Sequence, residues 1–161
     1  MGELVSLADL FAWLESTAVA RSIGGSLPMI ASLSAIHLLG FTLVTGGALV
    51  ANLRLLGALL PRRPAADVTR PASLGIAIGL AVSIATGLML FAWRAGELVS
   101  NGTFQLKMLL LMGAAIFQFT LHRSVARRPA ATVTSLRLTG GVGLALWLGL
   151  ALAGCAFILF E

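Results

Sequence analysis

The sequence predicts an all-α integral membrane protein, a four-helix bundle with a short N-terminal amphipathic helix at the membrane interface. Three observations carry this. Of the 161 residues, 58% are hydrophobic and 11% are charged, and the mean hydropathy is +1.00, too apolar for a soluble domain of this size. Four apolar runs each reach the roughly 20 residues that cross a hydrocarbon core. The polar stretches between them hold most of the arginines, so the net charge of +5 reads as a topology signal and not as a nucleic-acid footprint.

The first element covers residues 4–20. Leu7, Leu10, Phe11, Leu14 and Ala18 recur at the spacing of one helical face, while Asp9, Glu15 and Ser16 fall elsewhere. Trp13 suits a headgroup boundary, which places the helix flat on the membrane or, in the plainer reading, as a cap on the bundle. The opening residues lack the basic start of a cleavable leader, so the N-terminus is expected to be retained. Residues 22–26, SIGGS, turn the chain into Pro28.

The first span is expected over residues 28–58, followed by a polar, proline-bounded loop at 62–71. The second span covers 72–94, a turn with Asn101 and Gly102 at its tip follows, and the third span covers 104–122. An arginine-rich loop at 123–131 leads to the fourth span at 135–160. The whole chain, 1–161, reads as a single membrane domain. Arg54, Arg62, Arg63, Arg70, Arg123, Arg127, Arg128 and Arg137 flank the first and third loops; Arg21, Arg94 and Lys107 lie toward the other side. Positive residues stay inside, so both termini are expected outside, in the periplasm if the membrane is the inner membrane of a diderm bacterium.

His37 is an ionisable ring about 14 Å into the first span, near mid-membrane by helical rise. Such groups face a bundle interior, a cavity or a ligand. Two readings stand side by side: a histidine hydrogen-bonded across helices, and a neutral imidazole offering a nitrogen to iron while a carbonyl or hydroxyl such as Ser34, one turn earlier, holds the other. In the third span Lys107, Leu111, Ala115, Gln118 and His122 share one sector at 100° per residue. Lys107 and His122 could each reach an interface alone, but Gln118 between them favours an inward polar stripe, since an amide facing lipid is left unsatisfied.

Small residues form two strips. Gly75, Gly79, Ser83 and Gly87 run along the second span, and Gly141, Ala145, Gly149 and Ala153 along the fourth. They serve close helix packing, within the chain or with a homo- or hetero-oligomeric partner, or they make room for a flat ligand such as a porphyrin or quinone. With two histidines in the chain, at most one bis-histidine haem can form, through His37 and His122. A single histidine, or a partner such as Met89 or Met112, also suits haem iron. The spans contain no carboxylate for an ion pump and the chain no phosphate-binding glycine loop. Methionine suits Cu(I), but the five here form no repeated motif, and Cys155 is expected to be apolar filler.

The stretches LFAWLESTAVARSI, SLSAIHLLGFTLVTGGALVANLRLLG and NGTFQLKMLLL resemble a set of small bacterial four-span membrane proteins known by domain-of-unknown-function labels. A second pattern is similar to HemJ-type protoporphyrinogen oxidases and to the membrane domain of CopD-type copper-resistance proteins. In the HemJ type a first-span histidine precedes a glycine and then an arginine, as His37, Gly47 and Arg54 do, and a lysine opens the third span while a histidine closes it, as Lys107 and His122 do. That resemblance implies haem b on His37. Together these readings lead to an expectation of a b-type haem subunit passing electrons between an outer redox partner and quinone. Its expected site comprises His37, His122, Gly40, Gly79, Ser83, Lys107 and Gln118, with both histidines on the metal. The competing expectations are a cofactor-free membrane anchor or assembly subunit, and a porphyrinogen oxidase.

Overall fold

The computed structural model describes residues 6–122 and 132–159, and within them every regular element is helical. Helix α1 spans Leu7–Glu15, α2 Ala18–Gly24, α3 Leu27–Leu56, α4 Ala65–Ala92, α5 Ala95–Ser100, α6 Gly102–Phe117, continued by a π turn at Gln118–His122, and α7 Val133–Leu159. Helices α3, α4, α6 and α7 are each long and apolar enough to cross a membrane. Four apolar helices of this kind make a multi-pass membrane protein.

Side-chain exposure fits a lipid surround. Leu39 is 70% exposed, Leu109 67% and Leu152 71%, an arrangement that hydrocarbon tolerates and water does not. The core is correspondingly thin. Val44, Ala48, Ile76, Leu80, Ala114, Trp147 and Leu150 form one buried cluster drawn from all four long helices.

The amphipathic segment expected over 4–20 is two helices, not one. Ser6 caps α1 in a reciprocal capping box with Asp9, whose backbone N–H donates to Ser6 Oγ at 3.1 Å while Ser6 N–H donates to the Asp9 carboxylate at 3.0 Å. Ser16 and Thr17 then break the helix, Thr17 capping α2 by accepting from Ala20 N–H at 3.3 Å. Trp13 is 63% exposed. Both short helices pack at the end of the bundle where α5 lies, called here the cap end. A bond at 2.8 Å from Gly96 N–H to the Glu15 carboxylate joins α1 to α5.

The opposite end is closed by the 57–64 loop. Gly57 terminates α3 with φ +83°, a left-handed cap that glycine takes without penalty. Arg54 folds back so that its guanidinium donates to the Arg63 carbonyl, which uses one of the arginines expected merely to mark topology. Helix α4 starts at Ala65, not near 72, and carries Pro71 inside it. In the second turn that proline forfeits one backbone bond and leaves the helix intact. The stretch between the second and third spans, expected as a plain turn, contains α5, and Asn101 caps α6 by accepting from Phe104 N–H at 2.9 Å.

Candidate functional site

Helices α3 and α4 make the most extensive contact in the bundle, and small residues let them approach. A Cβ built on Gly40 would stand 2.7 Å from Ser83 Oγ and 3.0 Å from the Gly79 carbonyl; one on Gly79 would stand 2.6 Å from the Gly40 carbonyl. Ser83 Oγ donates to the His37 carbonyl at 3.3 Å. The middle of the strip, Gly79 and Ser83, is therefore filled by α3. This is the close helix packing within the chain that the spacing allows, with Gly75 and Gly87 half-buried to either side. The α7 strip is split: Ala153 is buried, Gly149 meets Leu110, and a Cβ on Gly141 would meet nothing within 4 Å.

At the cap-end edge of this contact the His37 ring lies against Gly87, where a Cβ would sit 3.1 Å from its Cε1. Its Nδ1 is 3.1 Å from Thr86 Oγ1, a hydroxyl across the helix contact in place of the Ser34 example. Thr86 decides the tautomer. Its hydroxyl has one proton, which goes to the Val82 carbonyl at 2.7 Å, so toward His37 the oxygen can only accept. Nδ1 accordingly carries the hydrogen of the neutral ring, and Nε2 keeps its lone pair. Thr86 was missed in the sequence, although it stands three residues beyond Ser83 and so shares that helix face.

Lys107 enters from α6. Its Nζ lies 5.4 Å from the centre of the Phe157 ring. Helical rise puts it near the His37 level. Thr86 is six residues from the end of α4 and Lys107 five from the start of α6, about 9 and 8 Å from the cap end at 1.5 Å per residue. His37 thus belongs to the cap-end half of the bundle. Above this level Phe91 contacts Phe11 edge-on and stacks with Phe104 at 5.8 Å, and Phe104 meets Phe157. An aromatic layer therefore stands between the His37 level and the cap end.

The remaining expected residues lie elsewhere. Gln118 is fully buried and its Nε2 donates to Ser73 Oγ at 3.5 Å. Ser73 and Thr86 are thirteen residues apart on α4, about 20 Å at helical rise, so Gln118 and His37 occupy separate levels. His122 is a further four residues along the π turn, and its side chain lies outside the described residues. The backbone thus carries His37 and His122 at different levels of the bundle. The π turn also ends the straight sector drawn from Lys107 to His122, because its bonds run from i to i+5 and rotate the face. Met89 and Met112 are 41% and 59% exposed on the outside of the bundle.

Among the described residues no three His, Cys, Asp or Glu side chains gather as a metal site. An apolar groove of about 240 Å³ between α3 and α7, bounded by Thr42, Thr45, Leu144 and Trp147, contains none of the expected site residues.

No curated protein and no solved structure matches the chain. Residues 10–160 match the Family of unknown function DUF6644. That match takes in all four long helices together with the histidine and lysine levels, and the chain belongs to the DUF6644 family.

Proposed function

We propose that the protein binds one b-type haem through Nε2 of His37 and serves as a membrane electron-transfer subunit between a redox partner at the cap end and quinone. The observation that carries this reading is the Thr86 bond to Nδ1, which leaves Nε2 of a neutral imidazole as a ligand nitrogen and fixes the ring's orientation. The iron would supply one-electron chemistry, its potential tuned by the axial nitrogen and by burial. His37 is the protein ligand in this proposal, with His122 at another level. Lys107 offers a positive charge to an anionic substituent of the ligand, and the Phe91–Phe104 layer limits water from the cap end. The arginine asymmetry supports a bacterial inner membrane with the cap end outside.

An optical spectrum of the purified protein tests this directly. A Soret band with a sharp reduced α-band, lost in His37→Ala, is the expected result; a folded and colourless wild-type preparation would reject it in favour of a cofactor-free anchor. One observation favours a second reading, a HemJ-like porphyrinogen oxidase: Lys107 and His37, both named in that resemblance, stand at similar depths from the cap end by helical rise. That reading requires quinone-dependent turnover that disappears in Lys107→Ala.

A further inference from the structure

A second buried polar level lies toward the loop end, and it is independent of the His37 site. Ala48, Ile76, Ala114 and Trp147 belong to the same core cluster and come from α3, α4, α6 and α7. One turn toward the loop end from each stand Asn52, Ser73, Gln118 and Gly143. Four helices thus contribute three polar side chains and one glycine to a single layer. Asn52 and Gln118 are both fully buried and Ser73 is 8% exposed.

Two atoms of opposite hydrogen-bonding sense have no partner there among the described residues: the acceptor Asn52 Oδ1 and the donor Trp147 Nε1. Asn52 commits its Nδ2 to the Ala48 carbonyl at 2.8 Å, which directs Oδ1 away from its own helix. It meets Gly143, where any Cβ would run into the carboxamide. Trp147 is one turn further along α7. Because helical side chains lean toward the N-terminus of their helix, its indole lies over the Gly143 turn. Donor and acceptor therefore face the same turn of α7, where the absence of a side chain at 143 lets the carboxamide come close.

Within lipid a polar group has no bulk water to turn to, so an unmade bond costs more than it would at a surface. The chemistry needed is a small neutral molecule that accepts from an indole N–H and donates to a carboxamide oxygen. We propose that this layer binds a water molecule bridging Trp147 Nε1–H and Asn52 Oδ1, with the Ser73–Gln118 pair alongside supplying further bonds. Two to four polar partners are what a buried water requires.

The chain has three tryptophans, so ¹⁵N-indole NMR of the full protein in micelles resolves the site, with Trp147→Phe assigning its signal. Cross-relaxation between the Trp147 indole proton and water is expected in the wild type, and its loss in Asn52→Leu while the Trp13 and Trp93 signals hold their positions. A folded wild type with no such cross-peak overturns the proposal, as does a cross-peak unchanged in Asn52→Leu. Thermal unfolding gives a second readout. If the carboxamide holds water, Asn52→Leu lowers Tm; if it is dry and unsatisfied, the apolar isostere leaves Tm unchanged or raises it, and the proposal fails.

Discussion

Thr86 is the residue on which the candidate site turns. It already gives its only proton to Val82, and this leaves the imidazole to donate through Nδ1. Thr86→Val should release the ring while preserving side-chain volume, and Thr86→Ser should retain it. If haem is bound, the valine variant is expected to lose affinity by roughly 10- to 100-fold, the usual effect of removing a group that orients a ligating histidine; haem content after purification measures it. At Gly40 the prediction is structural. Alanine there would collide with Ser83 and the Gly79 backbone, so Gly40→Ala should cost about 1–3 kcal/mol as overpacking, read as a lower unfolding temperature in detergent.

At the scale of elements, helix ends carry the sharpest expectations. The bonds from Ser6 to Asp9 hold that carboxyl below the usual carboxylate range. Its folded pKa is thus depressed relative to the unfolded chain, so the contribution of the α1 cap is fully present above the unfolded value. It is lost as pH falls through the folded one. Amide exchange in the first turn of α1 should therefore quicken only in acid, and Asp9→Asn should abolish that pH dependence. At the other end of the bundle, Gly57 sits at φ +83°. Gly57→Ala should destabilise by about 1 kcal/mol through its left-handed cap, without altering the His37 level, and thermal unfolding against an unchanged His37 ¹⁵N spectrum checks both halves of that statement.

For the whole molecule, the bundle has two polar levels about 20 Å apart, one built on His37, Thr86 and Lys107 and one on Asn52, Ser73 and Gln118. Between them lies the apolar cluster around Val44, Ile76 and Trp147. The arginine distribution predicts which side each level is nearer. Arg54, Arg62, Arg63 and Arg70 all belong to the loop end. A cysteine placed at Arg63 in a Cys155→Ser background should resist a membrane-impermeant thiol reagent in intact cells and react after the membrane is opened. Labelling of intact cells at that position would reverse the orientation.

How much of this could be read in advance depends on the range of the interaction. Hydropathy and run length are properties of consecutive residues, and the four crossings, the α-only architecture and the Trp13-bearing surface helix follow from them. The Ser16–Thr17 break and the α5 turn were local too, but their capping chemistry was subordinate to the apolar periodicity around them. Which faces meet is another matter. The small-residue strip on α4 allowed either a helix or a ligand, and the choice of α3 as its occupant depends on where two distant segments cross. His37 was legible as an ionisable ring in lipid, whereas its tautomer rests on Thr86, forty-nine residues away. Similarly, the π turn at Gln118 broke a sector that a regular helix would have kept straight. Sequence by itself determined what must lie in the membrane, because transfer to lipid is nearly additive over neighbouring residues. Only the tertiary structure decided which polar groups share a level, because the alignment of helices is fixed by the packing of their side chains.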